Sequence, residues 1–180
     1  MIVMMDINIT VAEMEDLDEI MEMMTTARDT VENPDWFVED NREYVKRHLG
    51  ENGITLKACG QNKIMGFLIV DIPGEDEENL GFDLGFSKKE RELTVLMESA
   101  IVRPEARGMG LQRKLLYEAE KWLEGRIYRY ALATVHPENR YSRGNLLAMG
   151  YEEAMEKLKY GGLPRIIMRK QLFGKGSENQ

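Results

Sequence analysis

The sequence predicts an α/β fold in which helices cover both faces of a mixed sheet. Three observations lead there. Runs with period-two alternation interleave with segments of helical periodicity, in the order β-α-α-β-β-β-α-β-α-β-β. Turn residues punctuate the runs at Asn33-Pro34-Asp35, Asn52-Gly53, Pro73-Gly74 and Gly161-Gly162. No stretch of linker composition or internal repeat divides the 180 residues, a length that suits one well-buried domain. A single domain is expected over residues 1–173, with a disordered tail at 174–180.

The elements follow in order. Ile7, Ile9 and Val11 alternate with Asn8 and Thr10, as in a half-buried strand. Over residues 12–31, Leu17, Ile20, Met21 and Met24 recur at helical spacing behind early acidic residues, which suit a helix N-terminus. A second helix is expected over 38–49, ended by Gly50. Residues 54–59 and 63–71 read as a hairpin across Gly60-Gln61-Asn62. Residues 74–92 are the least regular. There Glu75, Asp76, Glu77 and Glu78 read as a solvated loop, while Leu80, Phe82, Leu84 and Phe86 fold back over the core or a cleft. A strand is expected at 93–102, and a helix at 108–124 with Leu111, Leu115, Leu116, Ala119 and Leu123 on one side. Residues 128–135 form a further strand stopped by Pro137, and 139–149 a short helix ending at Gly150. Residues 158–160 and 164–172 close the chain as a hairpin.

Composition excludes several classes of function. With 43% hydrophobic and 31% charged residues the chain reads as a soluble globular protein. A net charge of -8 opposes a phosphate-neutralising surface, so no nucleic acid partner is expected, whereas a cationic amine is weakly favoured. No stretch approaches the roughly 20 apolar residues of a membrane span, so no membrane partner is expected. The opening residues lack the basic and apolar regions of a secretory leader, and Cys59 is the lone cysteine. A cytoplasmic setting is the expectation. The 13 methionines are scattered and read as core filling. Without a Cys/His cluster no metal site is expected. A homodimer is the commonest assembly for such a chain.

Chemistry concentrates in Glu98-Ser99-Ala100-Ile101-Val102-Arg103-Pro104-Glu105-Ala106-Arg107-Gly108-Met109-Gly110-Leu111-Gln112-Arg113-Lys114. Pro104 ends a strand, because it cannot donate to the ladder. Two glycines then admit a close backbone approach before a helix whose first N–H groups are unpaired. With the helix dipole and with Arg107, Arg113 and Lys114 nearby, that is an anion site suited to a pyrophosphate. The Gly-Lys-Ser/Thr of a Walker loop is absent, as is the third glycine of a dinucleotide fingerprint.

The run from Val102 to Leu111 resembles motif A of the GNAT superfamily of N-acetyltransferases, in which Arg/Gln-x-x-Gly-x-Gly/Ala follows a strand ending Val-x-Pro. Arg107 and Gly110 match, and Gln112 stands where the family has Gly or Ala. Asn139 and Gly150-Tyr151 are similar to the family's closing Asn…Gly-Phe/Tyr motif. The resemblance implies a mostly antiparallel sheet whose central strands, ending near Val102 and Val135, splay apart. It also implies transfer of acetyl from acetyl-CoA, as cosubstrate, to a primary amine of a small molecule, by direct attack in a ternary complex. The pantetheine would lie along Ala100, Ile101 and Val102. The pyrophosphate would rest on the N–H groups of Arg107, Gly108, Met109, Gly110, Leu111, Gln112 and Arg113. Asn139 and Ser142 would contact the pantetheine arm.

Such a transfer needs a base for the ammonium, a donor for the oxyanion and, usefully, an acid for the thiolate. Glu98 is the base candidate: strict alternation puts it on the side of Ala100 and Val102, and a mid-strand carboxylate needs a reason. Asp71, Asp83 and Glu92 are poorer candidates. The family's acid is a tyrosine seven positions after the asparagine, which here is Leu146, leaving Tyr141 as a replacement. His48 is expected on the surface, His136 as a cap near the cleft mouth, and Cys59 in the core. Phe82, Leu84 and Phe86 hint at an acceptor with an apolar body. The alternative to an enzyme is a module that keeps the fold and binds acetyl-CoA or CoA as a ligand. An interaction protein with a purely structural glycine turn would bind no CoA.

Overall fold

The computed structural model describes residues 5–172, so the expected tail at 174–180 lies outside the described residues. Seven strands form one sheet in the order β1-β2-β3-β4-β5-β7-β6. Their bounds are Asn8–Val11, Gly53–Gly60, Lys63–Asp71, Thr94–Val102, Tyr130–Val135, Glu152–Lys159 and Leu163–Gln171 for β1 to β7. All neighbouring pairs run antiparallel except β4 and β5. The helices are α1 (Leu17–Thr30), α2 (Arg42–Arg47), α3 (Lys88–Glu92), α4 (Leu111–Leu123) and α5 (Arg140–Ala148).

Two cores sandwich the sheet. On one face Leu68, Val70, Val95 and Met97 pack with Leu115, Leu116 and Ala119 of α4 and with Leu146 of α5. On the other, Phe67, Ile69 and Ile101 meet Ile20, Met23 and Met24 of α1 and Val45 of α2. Beside that second core, Leu80, Leu84 and Phe86 fold over Leu96, Leu132 and Ile167, as their apolar character requires. The fully buried Asn79 pins this loop, donating to the carbonyls of Gly74 (2.8 Å) and Arg91 (3.3 Å) and accepting from the Gly81 N–H (2.8 Å).

Two departures from local expectation shape the site. β4 and β5 pair only from Thr94–Leu96 against Tyr130–Leu132, and beyond that point they have no shared ladder. Between β3 and β4, Leu68 pairs with Ala100 and Val70 with Met97, so Ile69 opposes both Glu98 and Ser99. That β-bulge breaks strict alternation. Met97 and Ala100 therefore both face α4, while Glu98 keeps the face of Leu96, which is the side of α1 and α2. The expectation that Glu98 shares the side of Ala100 and Val102 is thus corrected, because the extra residue resets the phase of the strand.

Other elements differ for identifiable reasons. The second helix spans only Arg42–Arg47, its N-terminus set by Asn41, whose side chain accepts from Tyr44 N–H at 2.9 Å; Asp40 is left in extended chain before it. α4 begins at Leu111 rather than at 108, since Gly108 (φ 83) and Gly110 (φ 73) hold left-handed conformations that stop helix propagation. α3 carries a capping box between Ser87 and Glu90 inside the stretch expected to be loop. β6 starts at Glu152 rather than 158; as an edge strand it needs no apolar alternation, and its charges protect the free edge.

Candidate active site

The divergence of β4 from β5 opens a cleft of about 500 Å³ that runs through the sheet from one face to the other. On the α4 side it is walled by Ala100, Val102, Gln112 and Leu116, and on the β5 side by Ala133, Val135 and the start of α5. Past Leu96 the β5-facing backbone of β4 has no strand partner, so its N–H and C=O groups are available to an extended ligand.

At the end of this cleft the chain makes a short turn at Pro104–Ala106 and enters α4 through Arg107, Gly108, Met109 and Gly110. No side chain caps α4, so the N–H groups of its first turn stay unpaired and point outward. A side chain at Gly108 or Gly110 would meet nothing within 4 Å, so the positive φ, not crowding, is what demands glycine. Arg107 is exposed and lines the cleft. Arg113 is tied down: its Nε donates to Asn145 Oδ1 at 2.8 Å, and Asn145 Nδ2 donates to Gln112 Oε1 at 2.8 Å. The residue that departs from the family pattern, Gln112, is thereby held against α5, leaving its backbone N–H in the first turn of α4. Asn139 caps α5, accepting from Ser142 N–H at 3.3 Å, and both line the cleft.

The opposite side of the cleft is acidic and aromatic. Glu98 and Asp40 line it, and Ser99 Oγ donates to Asp40 Oδ2 at 2.5 Å. Burial, followed by the charges of Asp71, Asp40 and Glu78, pushes the Glu98 carboxyl up to about 8, against a smaller opposing pull from Lys159. Burial also raises the carboxyl of Asp40, against the hydrogen bond from Ser99. The Tyr160 hydroxyl lies 3.1 Å from Thr134 Oγ1, and burial with the Glu98 charge pushes its phenol up to about 12. Trp36, Phe37 and Val38 supply an apolar wall.

Behind this side lies His48, which is 2% exposed, not on the surface as the sequence suggested. Its Nδ1 lies 2.6 Å from the Tyr44 carbonyl and its Nε2 2.7 Å from Asp71 Oδ1. A carbonyl only accepts, so Nδ1 is the donor to it and Nε2 faces the Asp71 carboxyl. The polar α2 sequence hid this, because the turn after α2 folds His48 inward beneath the Tyr44 ring, stacked at 4.1 Å.

The remaining expected residues are placed as follows. Asp83 is neutralised by Lys157 (2.6 Å) and Lys159 (2.9 Å), and Glu92 faces solvent beside Lys88. Leu146 is buried in the cleft wall, and Tyr141 is 59% exposed at its rim. His136 acts as a cap, its Nδ1 accepting from Glu138 N–H at 3.1 Å. Leu84 and Phe86 pack into the core, and Phe82 is covered by the Arg91 guanidinium at 4.0 Å from its ring centre. These three do not line the cleft, which corrects the hint drawn from them; the apolar wall comes from residues 36–38 instead. Asp40, Tyr160, Trp36 and Arg165 are the cleft residues that sequence reading missed. Among the described residues no helix is long and apolar enough to cross a membrane.

A splayed β4/β5 pair with an uncapped, glycine-entered helix at its mouth defines a class, and comparison with known proteins agrees. The model of the acetyltransferase (GNAT) family matches residues 17–151, and the chain belongs to that family. Its fold is that of the ribosomal-protein-S18-alanine N-acetyltransferase from Escherichia coli, with TM-score 0.69, 17% identity and 97% of this chain covering 99% of that one. It is equally similar to the yncA protein from Salmonella typhimurium, solved with its cofactor acetyl-CoA (TM-score 0.68, 19% identity, 96% of this chain and 97% of that one). Arabidopsis thaliana NAA60, solved with a bisubstrate analogue, superposes with TM-score 0.72 at 16% identity over 94% of this chain and 100% of that one. No curated protein matches the sequence.

Proposed function

We propose that this protein is an N-acetyltransferase that moves acetyl from acetyl-CoA to a primary amine of a small molecule. The observation that carries the reading is the open ladder of β4 leading to the uncapped first turn of α4. The residues fit the cosubstrate. Ala100, Ile101 and Val102 offer backbone to the pantetheine, and residues 107–113 offer N–H groups and the Arg107 charge to the pyrophosphate. Asn139 and Ser142 flank the arm from α5. When bound, acetyl-CoA supplies the activated acyl group.

The protein's own part is to desolvate, orient and deprotonate the acceptor. An ammonium entering beside Glu98 and Asp40 meets two buried carboxyl groups, which orient it toward β4. Glu98, with its carboxyl near 8, takes the proton once it is itself ionised, freeing the nitrogen lone pair. The amine then forms the C–N bond to the acetyl carbon while a β4 backbone N–H near Ile101 or Val102 donates to the oxyanion; the C–S bond breaks, and the second nitrogen proton passes to the departing sulfur to give the amide and the free thiol. Thiols are weak bases beside alkoxides (the cysteine reference pKa is near 8.5), so the thiolate departs with little help from an acid. Tyr141, at the rim, offers a phenol for that minor role.

A second reading, a module that binds acetyl-CoA without transferring the acyl group, is favoured by one observation: Leu146 fills with hydrocarbon the position where the family places its acid. Thiol release from acetyl-CoA over a panel of primary amines separates the two. Amine-dependent release supports the enzyme; tight binding with no release for any amine supports the module.

A further inference from the structure

The cleft holds a cation that has no ion-pair partner among the described residues. Arg165, on β7, is 3% exposed and lines the cleft. Its one hydrogen bond among the described residues runs from Nη1 to the carbonyl of Pro164 at 2.8 Å. The guanidinium forms no ion pair there; burial lowers its pKa, against smaller opposing effects of Tyr160 and Asp35. A buried arginine is costly unless its charge is paired and its five donors are used. In the same cleft, the Trp36 indole Nε1–H is buried and has no acceptor among the described residues. Two unfulfilled donors, one of them charged, thus line the same cleft as Glu98 and Asp40. Tyr160 lines this cleft as well. Its ring lies 5.6 Å from the Arg165 guanidinium, and its phenol feels both the Glu98 charge and the Arg165 charge.

We propose that the acceptor is an amino carboxylate with an apolar body: Arg165 and Trp36 Nε1 bind its carboxylate while its amine lies at Glu98. This rests on the acetyl-transfer reading above and adds the substrate class. Arg165 and a carboxylate form charge-assisted, bidentate bonds that a neutral amide cannot match. The apolar wall of residues 36–38 accepts the side chain. Arg165 is assigned here as a specificity determinant that contacts the acceptor away from the reacting atoms.

The test measures kcat/KM for leucine and phenylalanine, each against its amide and its decarboxylated amine, with acetyl-CoA calorimetry run in parallel. The parent should prefer the acids by about 10- to 100-fold, and Arg165→Met should bring that ratio to near one. Arg165→Lys should recover part of the preference, and Trp36→Phe, which keeps the ring and removes only the N–H, should reduce it a few-fold. Since Arg165→Met could perturb folding, the Trp36→Phe ratio decides independently. Equal or better use of the amines by the parent, or a ratio unmoved by both variants, overturns the amino-carboxylate assignment and leaves acetyl transfer standing. Absence of acetyl-CoA binding by the parent overturns both.

Discussion

The two sides of the cleft are built in opposite ways. On the cofactor side, one continuous segment from Ala100 to Arg113 supplies strand backbone, glycine turn and helix N-terminus. On the side proposed for the acceptor, Trp36, Asp40, Glu98, Tyr160 and Arg165 come from the α1–α2 connection, a bulge in β4 and the closing hairpin. A ligand read by backbone N–H groups calls for local chain geometry, and local geometry leaves a motif. One read by side chains can draw them from anywhere that packing brings together, and leaves none.

Substitutions on the acceptor side should change chemistry while leaving acetyl-CoA binding nearly intact. The largest effect is expected from Glu98→Gln, which should lower kcat by about 10²- to 10⁴-fold if general-base catalysis is carried there. In the parent, kcat/KM should rise with pH and level off above about 8, where Glu98 is ionised. The Gln variant should lack that limb in steady-state profiles. An unchanged profile would move the base elsewhere.

Next in size is His48→Leu, which strands the Asp71 carboxyl without its partner. A loss of about 3–5 kcal/mol is expected in urea unfolding, as for other broken buried pairs. Glu98 also has a signature in stability. Its folded value near 8 lies above the ordinary 4.5, so the folded state holds a proton that the unfolded chain has released between those values. Its contribution is complete below pH 4.5 and fades as pH rises through 8. Calorimetric melting should therefore show Glu98→Gln gaining several degrees over the parent at pH 9 and little at pH 4. Smallest of all is Tyr141→Phe: a phenol 59% exposed at the rim should cost no more than about threefold in kcat, since the thiol needs little acid help.

The same contrast explains what the sequence showed and what it hid. Alternation and helical period located β2, β3, β4, α1 and α4, because each buries a patterned face. β6 was largely missed, since Glu152-Glu153-Ala154-Met155-Glu156-Lys157 carries helix-forming charges and only its edge position makes it a strand. α3 had a visible signal, Ser87-x-x-Glu90, that deserved more weight than the acidic run before it. Glu98 could be picked out, but its side could not: one bulge residue, set by pairing with β3, turned it from the cofactor face to the acceptor face. His48 and Arg165 are ordinary polar residues in sequence, and only tertiary packing buries them.

The most direct measurement of the cofactor assignment is calorimetric titration of acetyl-CoA into the parent and into Gly110→Pro, with Gly110→Ala as an intermediate case. Proline cannot adopt the positive φ of 73 found at this position, whereas alanine can at about 1–2 kcal/mol. Binding by the parent, weakened in Ala and lost in Pro while the melting profile stays cooperative, is the expected result. Equal affinity in all three proteins, or none in the parent, would contradict an acetyl-CoA site at the entry to α4.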